Sequence, residues 1–340
     1  MSLRLAINGY GRIGRCFLRA LHASPHRHDI IVVAINEPAD LESMAYLTRF
    51  DSTHGRFAAQ VEVAPDTLLI DSQPIVVSHG RRPQDVDWKA LGIDLLVEAS
   101  GRYAHRGELE AFIAAGCPRL LLSQPAHSAE DVDRTVVYGF NEARLSGRER
   151  IVSAASCTTN AAVPLLALLD EAFGIEQGLL TTLHSVMNDQ PLVDGYHHAD
   201  LRRTRSAMQS MIPVATGLAR GIERLLPHLQ GRIDAKAIRI PVPNVSAIGL
   251  VARLARPADL AAVNACLRRA AAGSGGRIGW TEEPHASTDF IHSPESAIID
   301  GSQTRLSGDR LLDIFIWFDN EWGFANRMLD IAAYWGRRLP

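Results

Sequence analysis

Cysteine is scarce: Cys16, Cys117, Cys157 and Cys266 are the only four in 340 residues. None forms a C-x-x-C pair, so a zinc ribbon or a thioredoxin-like motif is not expected. At this length and density neither is a disulfide framework. An excess of one charge is missing too: 35 Lys and Arg stand against 38 Asp and Glu, a formal net charge of -3. That balance gives no electrostatic reason to expect nucleic acid or a membrane surface as partner. No stretch reaches the roughly 18 apolar residues of a membrane span. The opening "MSLRLAINGYGRIGR" lacks the apolar h-region of a secretory leader. A cytoplasmic protein is expected, with no metal, no membrane and no nucleic acid. What remains is ordinary globular material, 46% hydrophobic, long enough for two domains.

The first part of the chain reads strand, glycine turn, helix, strand: "LRLAI", "NGYGRIGR", "CFLRALHAS", "IIVVAI". The short apolar runs "IDLLVEAS", "RLLLS", "TVVYGF" and "RIVSAAS" follow. Strands alternating with helices predict a parallel sheet covered on both faces. After Cys157 the pattern changes. "AAVPLLALLDEAF" has helical spacing, while "GLLTTLHSV", "AKAIRIPVPNVSAIGLVARLA" and "RLLDIFIWFDN" are longer β-rich runs. Between the first two lies "NDQPLVDGYHHADLRRTRSAMQSMIPV", of weak periodicity; a long irregular segment in a compact domain is usually functional. "GSGG" at 273–276 lacks the Lys-Ser/Thr of a phosphate loop and predicts a surface turn. The last segment, "EWGFANRMLDIAAYWGRRL", is an amphipathic helix. The expected division is a nucleotide-binding domain over 1–155 and a mixed domain over 156–320.

Gly9, Gly11 and Gly14 spell G-x-G-x-x-G between a predicted strand and a predicted helix, the context that gives this motif meaning. Glycines permit the tight turn and the approach of a pyrophosphate, and the helix N-terminus supplies free N–H groups. The motif also calls for an acid about 20 residues on, at the end of the second strand. Glu37 stands there, able to accept from a ribose hydroxyl and to repel a 2′-phosphate. NAD is therefore expected over NADP.

"SAASCTTNAAVP" places the lone thiol of Cys157 at the predicted start of a helix. A thiol near pKa 8.5 is only slightly ionised at neutral pH and needs a helper to react. A helix N-terminus is one helper and a histidine another. His184, at the end of a predicted strand, can return beside Cys157 in space. "HRH" and "YHH" lack the partner ligands of a metal site.

The segments "INGYGRIGR", "FDSTHGRF", "SCTTN", "DLRRTR" and "WFDNEWGFANRM" resemble the glyceraldehyde-3-phosphate dehydrogenase superfamily, in its order and over essentially the whole chain. "AINEPAD" and "HSVMNDQPLVDGYHHADLRRTRSAMQSMIP" are more similar to the D-erythrose-4-phosphate dehydrogenase branch. The resemblance implies a Rossmann domain completed by a C-terminal helix over 321–340, and an α+β catalytic domain with a mostly antiparallel sheet. It implies Cys157 as nucleophile and His184 as its base and proton shuttle. Ser156, Thr158, Arg203, Thr216, Gly217 and Arg239 would bind a small phosphorylated aldose. Arg12 and Ile13, Arg81 near the adenine and Asn320 at the nicotinamide carboxamide would join the glycines and Glu37 in holding NAD. A homotetramer is implied, with the loop after His184 near an interface.

Some positions depart from the glycolytic enzymes. Met187 stands where they usually carry a phosphate-binding threonine, Glu37 where they carry Asp, and Phe324 in place of a common tyrosine. All three agree with the erythrose-phosphate branch. Ala161 replaces a frequent second cysteine, and one extra residue precedes the arginines of "YHHADLRR". The implied activity is NAD-dependent oxidation of D-erythrose 4-phosphate with hydrolytic release, serving pyridoxine 5′-phosphate synthesis. The alternative is the phosphorylating dehydrogenase of glycolysis. A NAD-binding regulator without chemistry would show damage at Cys157, His184 or Asn320, and all three residues are intact.

Overall fold

In the computed structural model, which describes residues 2–339, the chain divides into two compact units. One ends at Ser156 and resumes at Ala325; the other is Cys157–Phe324.

The first unit is built on a nine-stranded sheet. Its central strand, Leu3–Asn8, pairs in parallel with Ile30–Asn36 on one side and Leu95–Glu98 on the other. Parallel pairing continues through Leu120–Leu122, Ile151–Ser153 and Arg134–Thr135. The central strands are apolar almost throughout, as strands covered on both faces must be. Leu3–Asn8 runs straight into the glycine loop and the helix Arg12–Ala23, a Rossmann-type beginning. Trp88, Leu96, Leu109, Phe112, Leu120 and Ile151 pack into one core.

At the outer edge, Val61–Ala64, Thr67–Ile70 and Gln73–Ser78 form an antiparallel meander that the sequence pattern does not announce. Its tight turns place Asp66, Asp71 and Ser72 at positive φ, without the Asn-Gly pair that would signal a hairpin. "TVVYGF" contributes only its threonine to a strand, Arg134–Thr135, before the chain turns at Gly139, φ 88°.

The second unit carries a seven-stranded sheet. Its order is Ile212–Val214, Ile233–Arg239, Ile175–His184, Ser246–Leu254, Leu311–Phe318, Ala297–Ser307 and Ile278–Thr281. Two of its pairings are parallel, Ile175–His184 with Ile233–Arg239 and Ile278–Thr281 with Ala297–Ser307; the others are antiparallel. Leu312, Ile314, Ile316 and Phe318 alternate inward along one strand, while the helices Cys157–Phe173 and Leu260–Gly273 pack against the sheet. The long β-rich run from Ala235 is two strands separated by residues 240–245. The irregular stretch 188–214 holds only a 3-10 turn, Leu201–Thr204, and the short strand Ile212–Val214. Among the described residues no helix is long and apolar enough to cross a membrane.

Candidate active site

The three loop glycines are required for different reasons. Gly9 lies at φ 87°, and a Cβ there would collide with the Ser100 backbone. A Cβ on Gly14 would collide with the Gly9 carbonyl, so this glycine lets the helix start close under the loop. Gly11 is different: a Cβ would meet nothing within 4 Å. The chain's own packing does not demand glycine at 11, which fits the close approach of an external group. Ile13 follows in the first turn, and Arg12, the first helical residue, is ion-paired with Asp51.

Glu37 directly follows the second strand and turns its carboxylate to the loop. Oε2 accepts the Tyr10 N–H at 2.7 Å and Oε1 the Ala39 N–H at 3.3 Å. A carboxylate has lone pairs beyond these two, which a ribose hydroxyl can use. Behind it runs a buried polar chain: Asn36 Nδ2 donates to Asn8 Oδ1 at 2.7 Å, and Asn8 Nδ2 donates to Glu98. Glu98 also accepts the Ser100 N–H at 2.8 Å. Burial holds its carboxyl above the usual range. Gly9, Gly11, Glu37, Arg81 and Ser100 line a cleft of ≈ 140 Å³ at these strand ends. Arg81 is thus at the cleft wall. A larger groove of ≈ 860 Å³, beside Tyr46, Leu47 and Val63, contains none of the residues assigned above.

In the second unit, Cys157 is the first residue of its helix, where the peptide dipoles favour negative charge. The chain reaches it through Ala155, a non-glycine residue at φ 60°. Such a conformation costs about 1–3 kcal/mol and is often found beside reactive groups. Ser156 and Thr158 flank the thiol. His184 is the last residue of Ile175–His184 and is buried. Its Nε2 lies 3.7 Å from Cys157 Sγ. The parallel register pairs His184 directly with Arg239, the last residue of the neighbouring strand.

His184 Nδ1 lies 2.9 Å from the Ser185 carbonyl oxygen and 2.5 Å from Arg239 Nη1. Burial, then the guanidinium charge, pushes the imidazole down to about 4. Burial pushes the Cys157 thiol up to about 11, against a backbone hydrogen bond at Thr158 and the pull of Arg239. Burial thus opposes charge on both partners, while the helix start and Arg239 favour a thiolate. Arg203 sits in the 3-10 turn and pairs with Asp189 at 2.9 Å. Nε of Arg203 and Nε of Arg239 are both buried with no hydrogen-bond partner. Two buried, unmatched guanidinium donors suit an anion. Thr216 Oγ1 accepts the Leu218 N–H at 3.2 Å, and Gly217 caps the helix Leu218–Leu225.

Asn320 follows the strand Leu311–Phe318. Its Oδ1 accepts from Ser185 Oγ at 3.0 Å and from Ser246 Oγ at 2.7 Å. With Oδ1 turned to these hydroxyls, the Asn320 NH₂ is left to donate elsewhere, as a carboxamide oxygen would require. Sequence reasoning missed Ser185, Ser246, Asp189 and Asp51. Asp51 sits inside the quoted "FDSTHGRF", but nothing local marks the two serines.

A dinucleotide-type sheet with a glycine loop, and a second sheet bearing a thiol–imidazole pair, define a dinucleotide-dependent oxidoreductase. The family model for the glyceraldehyde 3-phosphate dehydrogenase NAD binding domain matches residues 3–106, and that for the C-terminal domain matches residues 156–320. The chain belongs to the glyceraldehyde 3-phosphate dehydrogenase family, with NAD as its cofactor.

Proposed function

We propose that this chain oxidises D-erythrose 4-phosphate to 4-phosphoerythronate, releasing the product by hydrolysis and feeding pyridoxine 5′-phosphate synthesis. The observation that carries the chemistry is the 3.7 Å approach of His184 Nε2 to Cys157 Sγ. Cys157 gives its thiol proton to His184 and adds as thiolate to the aldehyde carbon; the proton passes on to the aldehyde oxygen, giving a thiohemiacetal. His184 takes the hydroxyl proton as the carbon loses hydride, leaving a thioester. NAD, when bound, supplies the hydride acceptor. After passing that proton to solvent, His184 draws one from water as the water oxygen attacks the thioester, and returns it to the departing Cys157 sulfur, which frees the acid and restores the thiol. Arg203 and Arg239 hold the phosphate, and Asn320 orients the carboxamide through its NH₂. The Cys157 N–H, at the helix start, supports the oxyanion.

The four-carbon substrate is favoured by Met187, which brings no donor to a position where the glycolytic enzymes bind phosphate. A homotetramer is supported by the exposed apolar side chains of Leu192, Val193, Tyr196 and Leu201 in the irregular stretch. Light scattering on the purified protein tests that assembly.

The deciding assay is NADH formation with D-erythrose 4-phosphate and with glyceraldehyde 3-phosphate, each with and without inorganic phosphate. Phosphate-independent oxidation of the four-carbon sugar is expected. A preference for the three-carbon sugar that needs phosphate would mean the glycolytic reaction instead. Cys157→Ser should abolish NADH formation with either sugar; persistent turnover would overturn the nucleophile.

A further inference from the structure

Asn8, Asn36 and Glu98 end three adjacent parallel strands and stand side by side in register, Asn8 opposite Asn36 on one edge and opposite Glu98 on the other. All three are buried. The sense of their hydrogen bonds is set by main chain at both ends. The Gly80 N–H donates to Asn36 Oδ1 at 2.8 Å, and the Gly80 carbonyl accepts from Asn36 Nδ2 at 2.9 Å. A backbone N–H only donates and a carbonyl only accepts, so the Asn36 amide cannot be turned round. Its second N–H points at Asn8, 2.7 Å away. The atom there must be Oδ1, and Asn8 therefore shows its NH₂ to Glu98 Oε2. At the other end the Ser100 N–H donates to Glu98 Oε1 at 2.8 Å, and the Ser100 hydroxyl donates to the same oxygen.

Both carboxyl oxygens of Glu98 thus face donors whose places are fixed, and the ionised form accepts them all. A proton on Oε2 would meet the Asn8 NH₂; one on Oε1 would displace the donation from the Ser100 hydroxyl. Burying such a group costs more than burying an apolar side chain, and the neighbouring positions Ile7, Ile35 and Val97 are apolar and fully buried. What the polar chain gains is a link across the sheet. One end is Gly80, with Arg81 beside it, and the other is Ser100; both ends line the cleft. Asn36 also accepts from Ser78 Oγ at 3.0 Å, and the next residue, Glu37, donates its N–H to the Ser78 carbonyl.

We propose that Glu98 is a positioning residue for the adenosine half of NAD: its carboxylate fixes the sense of Asn8 and Asn36, and through them holds segment 78–81 and Glu37 where the adenosine docks. The inference rests on Glu37 and Arg81 flanking that adenosine. At 1% exposure, Glu98 acts through its neighbours rather than on the nucleotide. The role depends on donors and acceptors, not on shape alone. Gln has the shape of Glu with an NH₂ in place of one oxygen. In Glu98→Gln that NH₂ opposes either the Asn8 NH₂ or the Ser100 N–H. Asn8→Asp sets carboxylate against carboxylate. Combining the two substitutions restores every pair: the Gln NH₂ donates to the Asp carboxylate, which also accepts from Asn36, and the Gln oxygen accepts from Ser100.

The test is calorimetric titration of the full-length, nucleotide-free protein with ADP-ribose, which carries the adenosine and no nicotinamide. Glu98→Gln is expected to weaken binding about tenfold, the scale of one lost buried hydrogen bond. The KM for NAD should rise by about the same factor, while kcat at saturating NAD changes by less than about twofold. The double substitution should recover most of the lost affinity, as directly coupled neighbours do. Hydrogen exchange read by mass spectrometry should quicken over 78–82 in Glu98→Gln and slow again in the double variant. A purely local role at Glu98 would leave that segment, beyond two intervening strands, unmoved. Unchanged ADP-ribose binding in Glu98→Gln, or a double variant as weak as the sum of its parts, would overturn the inference. If Glu98→Gln fails to fold, the double variant decides alone, since it must fold and bind. Arg81→Gln separates this from the underlying placement. If it binds ADP-ribose like wild type, the adenosine does not lie at this wall; if it weakens and Glu98→Gln does not, the placement stands and the role of Glu98 falls.

Discussion

At the residue scale, His184 makes stability depend on acid. Its imidazole is pushed down to about 4 from an ordinary 6.5. Between these values the unfolded chain binds a proton that the folded chain refuses, so stability falls as pH drops through that window. The loss reaches about 3 kcal/mol at most and fades as pH rises above 6.5. His184→Asn removes this difference in proton binding. Urea midpoints at pH 7 and pH 4.5 should therefore show a larger acid loss in wild type than in the variant. Equal losses would mean that the ring is not held neutral. The same residue marks a limit of local reasoning. Cys157 and His184 stand inside recognisable segments and could be named from them. That Arg239 touches the imidazole follows from two strands pairing in register 55 residues apart, which no local pattern encodes. Ser185 and Ser246 look like any other hydroxyls until the fold brings both to Asn320.

At the element scale, the glycine loop carries a sharper expectation than its motif. Gly14→Ala places a methyl against the Gly9 carbonyl. Backbone cannot give way as a flexible side chain can, so the helix start must shift, at a cost of about 1–3 kcal/mol. Gly11→Ala meets open space and should leave the melting temperature nearly unchanged while weakening NAD binding. Paired melting and NAD titration of the two variants would check this. A Gly11→Ala protein that binds NAD normally would show that nothing approaches the loop there. Elements with strong periodicity, such as Leu3–Asn8, Ile30–Asn36 and Trp322–Gly336, were legible from their residues. The meander Val61–Ser78 was not, because its turns use aspartate and serine at positive φ in place of glycine. The β-rich run after Ala235 was legible as strand but not as two strands, since its break at 240–245 is marked only by Pro241, Pro243 and their neighbours.

At the scale of the whole molecule, the glycine loop with Glu37 belongs to the first unit, and Cys157, His184 and Arg239 belong to the second. Cofactor affinity and thiol chemistry should therefore separate by mutation. A ligand that binds only the native protein stabilises it by about 2.7 kcal/mol at a hundredfold excess over its Kd. NAD at that excess should raise the melting midpoint of wild type and of Cys157→Ser by the same several degrees. NADP at equal concentration should raise neither, because the Glu37 carboxylate already faces the loop through the Tyr10 N–H, 2.7 Å away, and would repel a 2′-phosphate. Differential scanning calorimetry of both proteins with both nucleotides gives the answer directly. If Cys157→Ser abolished the NAD shift, the thiol would be part of the cofactor-binding machinery and not only of the chemistry. If NADP stabilised as well as NAD, Glu37 would be holding the loop and doing nothing to select the ribose.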